Sequence, residues 1–166
     1  MKGLYCLLFL IFGLLISQTS LNAQFYDQAI GGRFGTSVSI SYKKFFSYTP
    51  SPQLAWEILM GFQLDEIKLE TNGYVVEGMC YYHFDIGFDT GFSGYAGAGI
   101  FMGVYTPQGE KARFGGGVSG TLGAAYTFTH TPVNIALDWK PILGNPRSSL
   151  TRAAISIRYV IPTTWQ

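Results

Sequence analysis

Residues 133–140 read Val-Asn-Ile-Ala-Leu-Asp-Trp-Lys, and their side chains alternate between two kinds. In an extended chain, successive side chains point to opposite faces. One face then carries only large apolar side chains, those of Val133, Ile135, Leu137 and Trp139. The other face carries the polar side chains of Asn134, Asp138 and Lys140. This period of two predicts a β-strand with one apolar and one polar face.

The same alternation recurs along most of the chain and predicts an all-β fold. Glycines and prolines interrupt it at intervals, as turns do between strands. The predicted strands are eight, provided that Gly35 and Thr36 form a tight turn between the first two. They span 26–34, 38–43, 54–62, 74–86, 95–105, 118–128, 133–140 and 153–161. The last strand repeats the opening pattern, with Ile155, Ile157, Tyr159 and Ile161 set against Ser156 and Arg158.

The connections between these strands alternate in character. Residues 47–52, 87–91 and 129–132 are short and nearly uncharged. The connections of the other set are mostly longer and charged, spanning 63–73, 106–115 and 143–151. Short turns on one rim and longer polar loops on the other are the layout of an outer-membrane barrel. Within the first long loop, Asn72-Gly73 favours a type I′ turn and hence an extended hairpin.

Composition narrows the class of protein. The chain has 166 residues, of which 48% are hydrophobic and only 13% are charged, and its net charge is +1. This length suits one domain, and the high hydrophobicity excludes a disordered chain. Near-neutrality gives no electrostatic reason to expect nucleic-acid binding.

The N-terminus predicts export. A basic start at Lys2 precedes an apolar stretch from Leu4 to Ile16, and the small-residue segment that follows ends at Ala23. This is the order of a secretory signal, so residues 1–23 are expected to be cleaved and 24–166 to form the barrel domain. Thirteen apolar residues span only about 20 Å as a helix, too short for a membrane anchor. Cleavage leaves Cys80 as the single cysteine, which excludes an intrachain disulfide and CxxC sites.

The distribution of charge decides which face meets lipid. The apolar faces of the strands carry almost no charge, which favours a transmembrane barrel over a soluble, lipocalin-like barrel with an apolar cavity. The polar faces would then form a lumen ion network of Arg33, Lys43, Glu57, Glu77, Asp85, Asp138, Lys140 and Arg158. Two aromatic girdles would lie outside, with Trp56, Phe84 and Phe128 at the short-turn rim and Phe62, Tyr74 and Trp139 at the other.

Several segments, in order, resemble the small outer-membrane β-barrel proteins of Bacteroidetes-type bacteria. They are AIGGRFG, VSISYKKFF, AWEILMGF, GMCYYHF, GYAGAGIFMG, NIALDWKPILG and ISIRYVI. The resemblance spans nearly all of residues 24–166 and implies an OmpA/OmpX-like eight-stranded architecture in the cell outer membrane. It also implies contact with outer-membrane lipid and with the assembly machinery, which reads an aromatic residue near the end of such barrels, here Tyr159 or Trp165.

The expected function is a structural or surface-interaction role without catalysis, cofactor or metal, in a monomer. An eight-stranded barrel is just wide enough for side chains to fill it, and buried charges must pair. A gated pore, in which these charges exchange partners, is the first alternative. A lipid A-modifying enzyme is the second, but His83 is expected in the lumen and His130 in a short turn. The long loops favour an extracellular protein partner, since Glu66, Lys68 and Glu70 share one face of the predicted hairpin.

Overall fold

The structure is a computed structural model that describes residues 26–35, 37–46, 53–64, 71–87, 91–106, 111–145 and 148–161. These residues form nine strands. They are β1 (Gln28–Gly35), β2 (Ser37–Phe45), β3 (Gln53–Leu64), β4 (Thr71–Asp85), β5 (Phe92–Tyr105), β6 (Arg113–Thr127), β7 (Val133–Trp139), β8 (Ile142–Asn145) and β9 (Ala153–Ile161). The predicted signal segment, 1–23, and the hairpin residues 65–70 lie outside the described residues.

The strands close into one antiparallel barrel. Sequence neighbours pair from β1 to β6, β6 pairs with both β7 and β8, β7 pairs with β9, and β9 returns to β1. The register of β6 runs without a shift from Leu122↔Trp139 to Ser119↔Ile142, so β7 and β8 together form the seventh strand of the barrel. The predicted all-β, eight-stranded, up-and-down barrel is therefore confirmed.

Pro141 explains why this seventh strand is interrupted. Proline has no N–H to donate to a β-ladder. Its carbonyl still accepts a 2.9 Å hydrogen bond from Gly120, and the N–H of Lys140 donates to the carbonyl of Arg152. The alternation continues through the interruption, with Lys140 and Ile142 buried and Leu143 exposed.

Three predicted connections are shorter than expected because the strands run further. Asn72-Gly73 lies within β4 and not at a hairpin turn, so that prediction was wrong. Gln63 pairs with Gly73 and Leu64 with Thr71, so Asn72 is an extra residue at a β-bulge. Residues 113–115 belong to β6 and residues 143–145 to β8.

The two faces of the barrel wall differ sharply in chemistry. The inward side chains include seven buried charged residues, of which six lie in the strands and the seventh, Lys140, directly follows β7. The outer face carries a broad belt of exposed apolar side chains, among them Ile40, Ile58, Met60, Val76, Ile100, Met102, Val118, Leu122, Leu137, Ile155 and Ile157. Within the described strands, Lys44 is the charged residue that the alternation puts on the outer face, since Lys43 and Phe45 beside it are buried.

The end of the lumen near the short connections is filled by apolar and aromatic side chains. Tyr26 and Phe45 meet edge to face with ring centroids 5.2 Å apart, beside the buried Ala29, Ala55 and Val160. Tyr26 precedes β1, and both side chains are uncharged aromatic groups, so this plug carries no charge. Among the residues described, none forms a helix long and apolar enough to cross a membrane.

The closure between β1 and β9 predicts the effect of a matched pair of glycine substitutions. A Cβ on Gly31 would collide with the carbonyl of Ile157 and the Cα of Arg158, whereas a Cβ on Gly78 would meet nothing within 4 Å. We expect Gly31→Ala to lower the free energy of unfolding by about 1–3 kcal/mol. Gly78→Ala should change it by less than about 1 kcal/mol. Urea unfolding of the refolded protein measures both, and equal effects would contradict the close contact.

Candidate functional site: a polar network in the barrel lumen

Among the described residues, three buried ion pairs cross the lumen, and we call these six residues the lumen ion pairs. They are Arg33–Asp138, Lys140–Glu77 and Arg158–Glu57. Each joins strands that are not neighbours in the barrel: β1 and β7 lie on either side of β9, Lys140 at the end of β7 reaches β4, and β9 reaches β3. Their side chains are at most 11% exposed, and therefore each charge depends on its partner for compensation.

Glu57 and Arg158 are the centre of the largest connected set. Arg158 Nη2 and Nε donate to Glu57 Oε1 at 2.7 and 3.1 Å. The same carboxylate accepts hydrogen bonds from the hydroxyls of Ser41 and Tyr81. Arg158 Nη1 also donates to Asn134 Oδ1 at 3.2 Å. The network therefore links β2, β3, β4, β7 and β9.

In each of the other two ion pairs, the carboxylate also accepts a hydrogen bond from a hydroxyl. Tyr95 donates to Asp138 Oδ2 at 2.8 Å, so the carboxylate paired with Arg33 is held from β5 as well. Ser119 donates to Glu77, the partner of Lys140. Hydrogen bonds of this kind satisfy the remaining lone pairs of a buried carboxylate, which an ion pair needs in order to be tolerated inside a protein.

Lys43 differs from these residues because its amine lies over aromatic rings. Its Nζ lies 4.5 Å from the ring centroid of Tyr81 and 5.1 Å from that of Tyr95. It also lies 2.8 Å from His83 Nε2. A charged Lys43 ammonium, which can only donate, would take Nε2 as its acceptor and place the histidine proton on Nδ1. His83 stacks on Tyr95 with centroids 5.1 Å apart, which fixes the ring.

The structure thus buries seven of the eight residues expected in the lumen ion network, and Asp85 differs. Asp85 is the last residue of β4 and is only half-buried. Its Oδ1 accepts a 2.7 Å hydrogen bond from the N–H of Gly87. Its carboxylate therefore stabilises the turn that follows β4, as Asp side chains commonly do two residues before the donor.

Each aromatic residue expected in a girdle lies on the outer face. Phe62, Tyr74, Phe128 and Trp139 are exposed, and Trp56 and Phe84 are half-buried. Phe62 and Tyr74 are paired across β3 and β4, with ring centroids 4.9 Å apart. At the short-connection end, Trp56 packs on Tyr42 at 5.5 Å and Phe128 on Tyr126 at 4.9 Å. Trp139 Nε1 donates to the carbonyl of Leu150 at 2.6 Å.

A small cavity lies above the ion pairs, at the end of the barrel where β3 runs towards β4 and β8 towards β9. Its volume is about 40 Å³. Polar and charged side chains line much of it, namely Arg33, Ser37, Ser39, Gln63, Glu77, Lys140 and Arg152. The Gln63 carboxamide oxygen accepts bonds from Arg152 Nη1 and Nη2 at 3.1 and 2.6 Å. This cavity adds a feature that the charge pattern of the strands did not predict.

Sequence reasoning missed Arg152 because it lies between two strands and reads as a loop charge. Yet only 7% of Arg152 is exposed. A usable signal exists in hindsight: Arg152 precedes the inward residues Ala154, Ser156 and Arg158 at the same period of two. Tyr95 was missed because its neighbours are Gly and Ala, which give the two faces of β5 little contrast.

The histidines and the cysteine among the described residues lie in three different environments. No group of three or more His, Cys, Asp or Glu side chains among them is arranged to hold a metal ion. His83 is buried against Lys43 and Tyr95, and His130 is exposed in the connection between β6 and β7. Cys80 is a free thiol on the outer face.

These features define a class: a closed eight-stranded antiparallel barrel, consistent with an OmpX-like barrel, whose polar lumen is filled by ion pairs. The chain matches no protein-family model, no curated protein and no solved structure.

The central ion pair predicts a non-additive pattern of stability. Glu57→Gln leaves the Arg158 charge buried without its partner, and Arg158→Met does the same to Glu57. Each single substitution should lower the free energy of unfolding by about 3–5 kcal/mol. The double variant should lose clearly less than the sum, because it leaves neither charge stranded. Urea titrations of the four proteins test this, and additive losses would contradict the pairing.

Proposed function

We propose that this protein is an integral outer-membrane β-barrel with a structural or surface-interaction role and no catalytic activity. Residues 24–166 form the membrane domain after removal of residues 1–23. The barrel acts as a monomer surrounded by outer-membrane lipid, and the outer-membrane assembly machinery inserts it.

One observation carries the proposal: the barrel is apolar outside and charged inside. Ile100 and Leu137 are 63% and 60% exposed, whereas Arg33, Glu57 and Arg158 are at most 2% exposed. In water this arrangement would be unfavourable, because the buried charges lose their hydration while the apolar belt remains exposed to solvent. In a bilayer the belt meets hydrocarbon, and a charge on that face would be expensive.

The outer face at either end supports the same setting. Aromatic side chains flank the apolar belt, as they do at the two interfaces of membrane barrels. Lys44 is paired in register with Trp56, so the single outward charge of the described strands lies at the level of one of these aromatic clusters. A lysine there reaches the aqueous interface with its ammonium while its stem stays in the apolar layer.

The filled lumen bears on the small-pore alternative. The Tyr26–Phe45 plug, the Lys43–aromatic cluster and the lumen ion pairs follow one another along the interior. Conduction through this barrel therefore requires buried pairs to separate. We expect no steady conductance in a planar bilayer, and a current abolished by Glu57→Gln would instead favour the gated pore.

Partner binding is assigned to the end that carries the longer connections. Loops placed on a rigid scaffold are where binding residues concentrate. This proposal is tested by deleting residues 66–69, which should leave the barrel intact and remove any adhesion that the full chain confers on cells.

The location is tested by gel mobility of the envelope protein. A closed detergent-resistant barrel should migrate faster unboiled than boiled, and it should be found in the outer-membrane fraction. A soluble protein without this shift would contradict the proposal and favour the soluble, lipocalin-like barrel. An altered mass of lipid A in cells that express the protein would favour the lipid A-modifying enzyme.

A matched pair of arginine substitutions distinguishes membrane from water as the surroundings of the belt. Ile100→Arg puts a charge in the middle of the outer face of β5. It should destabilise a membrane-embedded barrel by about 2–4 kcal/mol, measured by urea unfolding in lipid vesicles. Ala112→Arg is the control, because Ala112 is exposed in the connection before β6. Equal stability of the two variants would show that the belt is not in hydrocarbon.

A further inference from the structure

A cation lies on the apolar outer wall of the barrel, near the short connections. Lys44 in β2 points outward, because Lys43 and Phe45 on either side of it are buried. Among the residues that the structure describes, none accepts a hydrogen bond from its ammonium or forms an ion pair with it. A lone charge on a lipid-facing surface is expensive. An anion from outside the described wall would therefore stabilise this position.

Apolar side chains lie on both sides of Lys44 along the outer wall. Towards the middle of the barrel, Ile30 and Ile58 flank β2 at the next outward position. Towards the rim, Phe46 and Leu54 are joined by a 2.8 Å backbone hydrogen bond, and both are more than half exposed. The cation thus lies within an apolar surface and not at its edge. A small hydrated anion gains nothing from these side chains, whereas an anion that carries apolar chains does.

A second hydrogen-bond donor lies beside Lys44 on the same face. Gln28 in β1 is its register partner, and such partners have Cβ atoms about 4.5–5.5 Å apart. The Tyr42 hydroxyl donates to Gln28 Oε1 at 2.8 Å, which orients the carboxamide. Within the described part of the chain, Gln28 Nε2 donates to Asp27 Oδ2 alone, at 3.4 Å. A carboxamide nitrogen carries two hydrogens, so one N–H remains for a ligand held by Lys44.

Trp56 lies on the other side of Lys44 and indicates the depth of this face in a bilayer. It is the register partner of Lys44 on β3, and its ring packs on Tyr42 with centroids 5.5 Å apart. Tryptophan and tyrosine rings are enriched at the level of the lipid headgroups. The flexible stem of a lysine at this depth lets its ammonium reach the headgroup phosphates.

We propose that Lys44 and Gln28 bind the phosphate group of an anionic phospholipid, whose acyl chains lie along Ile30 and Ile58. The occupant is a lipid and not a free anion, because apolar side chains flank the cation on both sides. A headgroup with a net negative charge is favoured, since a zwitterionic one brings a cation of its own close to Lys44. This inference rests on the membrane setting proposed above, and it names the class of lipid that the barrel selects at its short-connection end.

The experiment uses Trp56 as the reporter of the lipid beside it. The chain has three tryptophans, and Trp139→Phe together with Trp165→Phe leaves Trp56 alone. This protein is refolded into phosphatidylcholine vesicles that contain either brominated phosphatidylglycerol or brominated phosphatidylcholine at equal mole fractions. Bromine quenches tryptophan fluorescence at short range, so the two quenching curves give the relative affinity of the lipids at Trp56. We expect phosphatidylglycerol to be favoured about threefold to fivefold.

Matched variants locate the preference. Lys44→Gln should reduce it to near equality of the two lipids, whereas Lys44→Arg should retain it. Lys111→Gln removes the same charge from an exposed residue at the other end of the barrel and should leave the preference at Trp56 unchanged. A second reporter protein, with Trp56→Phe and Trp165→Phe, keeps only Trp139, and Lys44→Gln should not alter its quenching. Each variant is first checked for the unboiled gel shift, which reports a closed barrel.

The outcomes separate this inference from the membrane proposal. Equal quenching of Trp56 by both brominated lipids would overturn the lipid site and leave the membrane barrel standing, whereas no quenching by either lipid would contradict both. Equal losses of preference in Lys44→Gln and Lys111→Gln would show that net charge, and not this face, attracts the lipid. Sodium phosphate should displace the lipid no more than sodium chloride of the same ionic strength. Selective displacement by phosphate would show a site for the free anion and would also overturn the lipid site.

Discussion

The Arg158 guanidinium and the Glu57 carboxylate meet inside the barrel at 2.7 Å, one reaching from β9 and the other from β3. Two full charges in such a place are tolerated only when geometry and hydrogen bonds compensate the lost hydration. Ser41, Tyr81 and Asn134 provide those bonds. The five side chains come from five strands, so the pair is satisfied only when β2, β3, β4, β7 and β9 are assembled.

This constraint fixes the register of the barrel. Shifting one strand by a single residue would turn its charged side chains outward and its apolar ones inward. In β7, such a slip would move Asp138 away from Arg33 and Tyr95 and bring Trp139 into the lumen. Each buried charge therefore acts against alternative registers, whatever its net contribution to the free energy of folding.

The period of two predicted much of this, and its failures have physical causes. In residues 133–140 and 153–161, charged and apolar side chains lie on opposite faces, so the inward face of each strand could be assigned from the sequence. In β5, residues 96–99 read Ala-Gly-Ala-Gly, so the two faces differ little and the inward Tyr95 gave no comparable signal. Asn72-Gly73 suits a turn but occupies a bulge here, because Gly73 pairs with both Gln63 and Tyr105. Sequence could not predict that the Lys43 side chain lies over the rings of Tyr81 and Tyr95, since that depends on which strands face each other across the lumen.

The two ends of the lumen are built for different purposes. Near the short connections, Tyr26 and Phe45 close the interior with uncharged groups. Near the long connections, Arg152 and Gln63 border a cavity lined by charges. Keeping an arginine more than nine-tenths buried at one mouth costs hydration, and the two bonds that Arg152 donates to the Gln63 carboxamide offset part of that cost.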